Sequence, residues 1–492
     1  MLPLISIVLA SLAAGTVLTF LAGARARWVA LATSAVFLGE VALLFVDYSG
    51  WPGYAGTPLV PGFAEEETHA WIHLSWLQVN YTVGVDGIAL ALILLTAVLQ
   101  VATVVYSWEE RRRPGAYFGL VLLTCLGSFG VFVALDVLLF FLFWEAVLVP
   151  MFFLIGLWGG PRRRYAALKF FVYTHVASIV MLVGLLATVF YSGSTSLDFA
   201  SVDASARTLS SVDQSFLFLA LFFGFGVKFP IVPFHTWLPD AHVEAPTGGS
   251  VLLAGLLLKL GGYGLIRWAV EVLPTGFAND RPILFVVAFV SIVWGSIVSL
   301  AQRDLKRLVA FSSINHMGIV LLAIALNSSL GLLAAVLLMF AHGIVSALLF
   351  MTAGSVHHTF GTRDIAGLGG ITPTTPALST MLMAGSLASL GLPALIGFPA
   401  EFAALLATWY GLGYWVLIPL GILVVTAAFY LWMMQRVLFG PPRGVPVGAH
   451  DVPWFEKLSM GMLVALTVLF GILPGLLVNV ITSSPVHGFP GP

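Results

Sequence analysis

Seven ionisable side chains lie inside long apolar stretches of the chain, where their types and spacing could support chemistry. They are Glu145, His175, Lys228, Lys259, His316, His342 and Glu401. A lysine at the centre of a membrane helix costs about 2.5–3.5 kcal/mol even on lenient insertion scales, so a charge at this depth indicates a functional site. Carboxylates, amines and imidazoles all gain and release protons. The series therefore predicts acid–base chemistry inside a membrane.

The segment after Lys228 is interrupted by Pro230 and Pro233. Proline lacks a backbone N–H, so the carbonyls of Gly226 and Phe229 are predicted to have no helical partners. Such carbonyls occur at membrane depth only where protein or water satisfies them. The segment is therefore expected to be a broken helix beside a wet, polar path.

Glu145 and Lys228 are predicted to form an electrostatic pair. One charge at about 4 Å with an effective dielectric constant near 20 is worth about 4 kcal/mol. Movement of Glu145 toward or away from Lys228 would therefore switch the lysine between holding and releasing a proton. Lys259 and His316 would relay that proton to Glu401.

The composition determines the kind of protein that carries these residues. Apolar residues make up 60% of the 492 residues and charged residues 9%, whereas a soluble domain is about one quarter charged. Apolar runs long enough to cross a bilayer predict an all-α polytopic membrane protein, and their continuity excludes a β-barrel. The fourteen predicted spans are 3–22, 28–47, 85–106, 117–134, 137–157, 167–190, 214–237, 248–270, 282–302, 307–326, 328–351, 377–409, 413–435 and 458–480.

Basic residues sort to one side of these spans, which predicts their orientation. With the N-terminus outside, the inner loops hold Arg25, Arg27, Arg111, Arg112, Arg113, Arg162, Arg163, Arg164, Lys169, Arg303, Lys306, Arg307, Arg363, Arg436, Arg443 and Lys457. Only Arg207, Arg267 and Arg281 lie outside. The outer 48–84 loop is acidic and has no Lys or Arg. This distribution follows the positive-inside rule.

A second break is predicted in the twelfth span, at Gly397-Phe398-Pro399-Ala400-Glu401, where Pro399 would free the carbonyl of Leu395. It lies five spans after the first break, in the seventh span. Matched breaks an odd number of spans apart indicate an inverted repeat. The predicted divisions are residues 1–116, a first repeat 117–270, a second repeat 282–438, and a C-terminal helix and tail 439–492.

The remaining histidines and the cysteine have weaker interpretations. His235 and His242 could serve as caps or in proton entry, and His357 and His358 are expected in a solvated loop. Cys125 is the only cysteine, so the chain has no disulfide framework and no thiolate metal or iron–sulfur site. No His/Glu spacing suggests zinc, and no glycine-rich loop follows a strand to bind a nucleotide.

Several motifs resemble the antiporter-like membrane subunits of respiratory complex I, over about residues 80–480. They are Phe141-Leu-Phe-Trp-Glu145-Ala-Val-Leu-Val-Pro150, Lys228-Phe-Pro230, His235-Thr-Trp-Leu-Pro-Asp-Ala-His242 with Ala245-Pro-Thr247, and Asp304-Leu-Lys-Arg307 with Ser312-Ser-Ile-Asn-His316. Within that group, the acidic residue Glu401 resembles chain M, the mitochondrial chain 4. Chains L and N and the Mrp antiporter subunits usually have lysine at that position.

The resemblance implies roles for these residues: Glu145 and Lys228 as the ion pair of spans 5 and 7, Lys259 as the central relay, His316 and His342 as the histidine link, and Glu401 as the terminal proton site. It implies fourteen helices with two inverted five-helix bundles and proton translocation in an NADH:quinone oxidoreductase. NADH, FMN, iron–sulfur clusters and quinone would bind partner subunits, with no cofactor in this chain. The expected partners are the bilayer, neighbouring antiporter-like chains and the lateral helix of chain L, without nucleic acid, in a bacterial or archaeal inner membrane.

Two departures from the family and two alternatives stay open. Pro399 replaces a small or branched apolar residue, which affects the geometry of the second break. His175 replaces a non-titrating residue, so it is either a packing residue or a further proton site. The alternative functions are an Mrp-type sodium/proton antiporter subunit and a structural scaffold that spaces other subunits.

Overall fold

The computed structural model describes residues 3–48 and 63–484, and helices dominate both ranges. Within them, thirteen helical stretches are long and apolar enough to cross a membrane, which confirms a polytopic helical fold. Helices are expected because each satisfies its own backbone hydrogen bonds where no water is present. The helices are α1 (Leu4–Leu21), α2 (Ala26–Tyr48), α3 (Gly87–Tyr106), α4 (Pro114–Val133), α5 (Val137–Trp158), α6 (Arg163–Tyr191), α7 (Phe199–Ala206), α8 (Ser211–Lys228), α9 (Trp237–Glu244), α10 (Thr247–Leu252), α11 (Leu258–Gly264), α12 (Pro274–Leu300), α13 (Leu305–Ala325), α14 (Ser329–Phe360), α15 (Pro376–Ser389), α16 (Gly397–Leu412), α17 (Leu417–Val437), α18 (Trp454–Ile472) and α19 (Gly475–Thr482).

The difference between fourteen predicted spans and thirteen observed stretches arises at α15 to α17. Helix α15 has 14 residues, which is too short to cross a bilayer alone. Helices α16 and α17 follow each other through a short 3-10 turn and form one stretch, Gly397–Val437. The pairing of α15 with α16 as one crossing, the inverted repeat and the four divisions stay predictions.

Helix α8 ends at Lys228, and the next helix, α9, begins at Trp237 after a non-helical segment. The Gly226 carbonyl lacks its helical partner because residue 230 is a proline, and the backbone N–H of Ile231 donates to it instead, at 3.3 Å. Ile231 is the first residue after Pro230 that has an N–H, and the turn brings it back over the end of α8. The break therefore places Lys228 at a helix end whose backbone is partly satisfied by a local turn.

The interruption between α15 and α16 is closed in the same way. The N–H of Phe398 donates to the carbonyl of Leu395 at 3.1 Å, so the predicted free carbonyl is not observed. Pro399 lies in the first turn of α16, where a backbone N–H has no intrahelical partner in any case. The unusual proline is therefore compatible with the start of the helix that carries Glu401.

Helices α10 and α11 belong to a continuous helical stretch, Thr247–Val270, that is buried from Gly248 onward. Two π-helical segments interrupt its α-helical geometry, Leu253–Leu257 and Leu265–Val270, and Lys259 lies between them. A Cβ atom on Gly261 would lie 2.7 Å from the backbone nitrogen of Phe229. Glycine at this position therefore lets the central helix approach the residue that follows Lys228.

A β-hairpin occupies the described part of the predicted acidic outer loop, of which residues 49–62 lie outside the described ranges. Strands β1 (Ala64–His73) and β2 (Gln78–Val85) pair antiparallel. Asp198 holds β2 by accepting from Asn80 Nδ2 and Thr82 Oγ1, both at 2.7 Å. The prediction of a loop missed this small sheet in an otherwise helical chain.

Candidate functional site

Lys259 lies at the centre of the buried helix and contacts a histidine on α14. Its Nζ is 2.7 Å from Nδ1 of His342 and also hydrogen-bonds to the carbonyl of Ala254. Lys259 is 0% exposed and His342 is 6% exposed. An ammonium group can only donate, whereas a neutral imidazole nitrogen can accept. The contact can therefore transfer one proton from the amine to the ring.

His342 faces a second histidine, His316 on α13. Their ring centroids lie 5.4 Å apart, with the planes at 51°. Both rings line a cavity of ≈ 10 Å³ together with the side chains of Ser346 and Tyr430. This volume is about the room that one water molecule needs, and the lining offers polar partners. One water molecule in this cavity could bridge the two imidazoles.

His316 also contacts the buried carboxylate of Glu401 on α16. Its Nδ1 donates to the carbonyl of Ser312 at 2.8 Å, which requires a proton on that nitrogen. Its Nε2 lies 3.4 Å from Oε1 of Glu401. The proton between Nε2 and the carboxylate then sits on one group or the other, as an ion pair or as two neutral groups. His316 and Glu401 are thus arranged to share one proton.

Glu145 and Lys228 are close to each other but do not form the predicted direct pair. The carboxylate of Glu145 lies 3.0 Å from Nδ1 of His175 on α6. Lys228 donates to the carbonyl of Trp144 at 3.3 Å and lies 3.7 Å above its ring, a cation–π arrangement. Among the described residues, no salt bridge joins Lys228 to Glu145.

The helix geometry of α5 explains this arrangement. Consecutive residues of an α-helix point about 100° apart, so Trp144 faces the core while Glu145 faces α6. The side chains of Glu145 and His175 are 22% and 41% exposed, whereas Lys228 is 2% exposed. Lys228 nevertheless contacts the backbone of the residue directly before Glu145. His175 is therefore a polar partner of Glu145 at the lateral surface rather than an isolated packing residue.

The predicted residues thus form two groups. Lys259, His342, His316 and Glu401 make a continuous row across α11, α14, α13 and α16. Lys228 and the Glu145–His175 pair adjoin this row, because α8 packs directly against α11. No direct contact links Lys228 to Lys259 among the described hydrogen bonds and ion pairs.

Lys306 is a buried lysine that the sequence prediction assigned to an inner loop. It lies in α13, is 4% exposed, and donates to the carbonyl of Ala245 at 3.0 Å and to Ser250 Oγ at 3.3 Å. His242 lies nearby on α9, with its ring stacked on Phe350 at 4.4 Å. Neither ring nitrogen of His242 has a hydrogen-bond partner in the described part of the chain. Lys306 could have been found from its position directly before an apolar run.

His357 and His358 lie in the last turn of α14, so the prediction of a loop is wrong, although both are exposed. The helix continues to Phe360 and ends at Gly361, whose positive φ of 71° suits a glycine cap. His235, between α8 and α9, accepts a hydrogen bond from Trp294 Nε1 at 3.2 Å. Its second ring nitrogen has no partner among the described residues.

An ionic cluster at the outer end of the central helix was also missed. Arg267 donates to Glu271 at 2.8 Å and hydrogen-bonds to Asp86, and all three are at most 2% exposed. The sequence prediction counted Arg267 among the basic residues on the outer side, although it lies within the predicted span 248–270. The same insertion cost that singled out Lys259 could have identified it.

The described residues contain no group of three or more His, Cys, Asp or Glu side chains that could hold a metal ion. Cys125 is fully buried in α4.

Comparisons with known proteins identify the family of the chain. The family model described as NADH:quinone oxidoreductase/Mrp antiporter, TM, matches residues 134–429. F(420)H(2) dehydrogenase subunit M from Methanosarcina mazei is 40% identical over 90% of each chain. NADH-quinone oxidoreductase subunit M from Rhodobacter capsulatus is 40% identical over 94% of this chain and 90% of that one. A chain in the structure of respiratory complex I from Thermus thermophilus with bound NADH superposes with a TM-score of 0.86 and 26% identity, over 99% of this chain and 100% of that one. The chain is thus a multi-pass membrane protein that belongs to the NADH:quinone oxidoreductase/Mrp antiporter family.

Proposed function

We propose that this chain is a proton-translocating membrane subunit, of the subunit M type, in an NADH:quinone oxidoreductase-type complex (complex I). The observation that carries the proposal is the buried row Lys259, His342, His316 and Glu401, with contacts of 2.7 Å at one end and 3.4 Å at the other. The similarity to named M subunits at 40% identity supports the subunit type.

The row supports stepwise proton transfer. Lys259 gives a proton to Nδ1 of His342, and the ring releases its other proton toward the small cavity. His316 takes up that proton at Nε2 and passes it to Glu401, the terminal site. Each imidazole gains one proton and loses one, so only Lys259 and Glu401 change their net charge.

The Glu145–His175 pair is proposed to control when Lys228 delivers a proton to Lys259, the first residue of the row. In the observed arrangement Glu145 is bound to His175. If the carboxylate moved to about 4 Å from Lys228, the interaction would be worth about 4 kcal/mol at an effective dielectric constant near 20. Lys228 would then hold its proton more firmly, and return of Glu145 to His175 would release it toward Lys259.

Partner subunits would carry the electrons, and they would also control the Glu145–His175 pair. Glu145 and His175 are half-buried at the lateral surface, where a neighbouring antiporter-like chain or the lateral helix of chain L could cover them. NADH, FMN, iron–sulfur clusters and quinone would bind partner subunits, with this chain acting without a redox centre in a bacterial or archaeal inner membrane. The donor depends on the partners, since the relatives' names include both F(420)H(2) dehydrogenase and NADH-quinone oxidoreductase.

Two alternatives differ in what they require of the chain. A stand-alone or Mrp-type sodium/proton antiporter would exchange ions without redox partners, and the acidic Glu401 in place of lysine disfavours it. Co-purification with flavin and iron–sulfur subunits distinguishes this case. A scaffold would need the helices but not the buried row.

The central test is the Lys259→Met variant in the intact complex, reconstituted into vesicles. Protons moved per electron are measured together with the rate of quinone reduction. We expect the ratio to fall while the complex stays assembled. The control is Arg436→Met, which removes an exposed cation at the end of α17 and should leave the ratio unchanged. Normal proton movement in Lys259→Met would overturn the proposal and favour a scaffold.

A further inference from the structure

A large cavity opens on the side of the molecule that the charge distribution assigns to the inner solution. Its volume is ≈ 860 Å³, and it lies between the α3–α4 connection, the end of α14 and the segment before α18. Its lining includes the acidic residues Glu109, Glu110, Asp451 and Glu456 and the imidazole of His358. The cavity therefore provides an open, polar entrance into a part of the chain that is otherwise packed with apolar side chains.

Glu456 connects this entrance to the interior through hydroxyl groups. Its Oε1 lies 3.3 Å from Nε2 of His358, whose side chain is 51% exposed. Its Oε2 accepts from Ser355 Oγ at 2.5 Å. Ser355 Oγ lies 3.1 Å from the hydroxyl of Tyr106, and Tyr106 is 7% exposed. An unbroken series of hydrogen bonds thus runs from a solvent-accessible imidazole to a buried phenol.

The series continues toward the buried lysines. The Tyr106 hydroxyl and the Thr247 side chain both line the cavity, so water in the cavity can carry a proton from one to the other. Ser250 lies three residues after Thr247, one helical turn along α10, and its hydroxyl accepts from Lys306. Beyond Lys306 lies His242, fully buried with both ring nitrogens unpartnered among the described residues. Groups that can carry protons therefore follow one another from the cavity to the neighbourhood of Lys259.

We propose that this cavity is a proton-uptake vestibule, in which Glu456 takes protons from the inner solution and passes them through Ser355 and Tyr106 toward Lys306. The inference rests on the proposed function. Glu456 gains a proton from water and releases it to Ser355. Each hydroxyl accepts one proton and gives up its own, so no bond other than O–H and N–H bonds forms or breaks. The neutral amine of Lys306 accepts the proton and becomes an ammonium group.

A purely structural role for Glu456 explains less of the local arrangement. Helix α18 is already tied to α3 by Ser459, one turn from Glu456, which donates to the carbonyl of Ala102 at 2.7 Å. A hydroxyl therefore suffices for packing at this interface. A carboxylate that is 3% exposed costs free energy to bury, yet it lies at a polar cavity with a titratable partner. This combination favours a role in proton exchange.

The test uses the assembled complex in vesicles, with protons moved per electron and the rate of proton uptake from the inner side as readouts. The variants are Glu456→Gln, which keeps the shape and can still bond to Ser355, and Tyr106→Phe, which loses one hydroxyl. Ser459→Ala is the packing control. We expect both path variants to slow uptake by at least about tenfold, as removal of a positioned proton carrier does, with Ser459→Ala unchanged. Glu456→Asp should restore part of the rate.

Lys259→Met, measured in parallel, separates the two proposals. If Lys259→Met loses proton movement while Glu456→Gln and Tyr106→Phe move protons normally, the vestibule is overturned and the proposed function stands. If Lys259→Met also moves protons normally, the proposed function fails. If Glu456→Gln does not assemble, Tyr106→Phe decides the matter, because normal uptake in that variant contradicts the path.

Discussion

The Nζ atom of Lys259 and the Nδ1 atom of His342 lie 2.7 Å apart in the core of the molecule. An ammonium group and an imidazolium ring have only donors, so the two groups cannot keep this contact when both are fully protonated. The contact therefore limits the pair to one exchangeable proton. The proton can therefore move in either direction between Lys259 and His342. The charged groups nearby determine which of the two holds it.

The His342→Asn variant should separate the hydrogen bond from the proton transfer. The Asn oxygen can accept from Lys259 near the former Nδ1 position, but an amide does not pass a proton on. We expect proton movement to fall by about 100-fold, within the usual contribution of a positioned acid or base, while the complex assembles. Proton uptake by reconstituted vesicles measures the effect. His357→Asn, an exposed position on the same helix, is the control, and equal pumping in both variants would contradict the relay.

Glu145 and His175 should contribute unequally to proton movement. Glu145→Gln removes the negative charge that acts on Lys228, so we expect proton movement to be lost. His175→Gln removes a partner but leaves the carboxylate free to approach Lys228, so we expect a loss of only about two- to threefold, roughly the weight of one exposed ion pair. Proton-to-electron ratios of both variants give the comparison. An equal or larger loss in His175→Gln would show that His175 is itself an essential proton site.

Proton movement should depend on the carboxylate group of Glu401 rather than on the shape of its side chain. Glu401→Gln keeps a hydrogen-bonding side chain beside His316 but cannot accept the proton, so proton movement should fall by at least about tenfold. Glu401→Asp keeps the carboxylate at a shorter reach and should retain part of the activity. Asp213→Asn on α8, where the side chain is exposed, is a suitable control for a lost carboxylate. Full activity of Glu401→Gln in the vesicle assay would remove Glu401 from the path.

The buried cluster around Arg267 should matter for stability. Arg267→Met would leave the carboxylates of Asp86 and Glu271 buried without their partner, and breaking a buried ion pair costs about 3–5 kcal/mol. Thermal unfolding of the complex in detergent should show a clear decrease in midpoint. Arg207→Gln, which breaks a partly exposed pair with Asp203, should cost about 1 kcal/mol or less. If the two variants unfold alike, the buried cluster contributes no more than a surface pair.

The sequence was sufficient to predict the helical membrane fold and to single out the residues of the row. Lys259 and Glu401 stand out because the free energy of inserting a charge depends mainly on its position along an apolar run. Lys306 and Arg267 lie near the ends of apolar runs, where the sequence predicts loop positions although both side chains are buried. The break at Lys228 could be predicted from Pro230, whereas the turn that satisfies Gly226 could not.

The partners of these residues were decided only by the tertiary structure. Glu145 was expected to pair with Lys228, but it binds His175 because the two side chains leave α5 and α6 on the same lateral face. His342 meets Lys259, and Glu456 meets Ser355, through contacts between helices distant in the chain. Apolar runs determine where charges must be buried. They do not determine how each helix is rotated about its axis or which neighbouring helix each face contacts. Those contacts follow from how the helices pack.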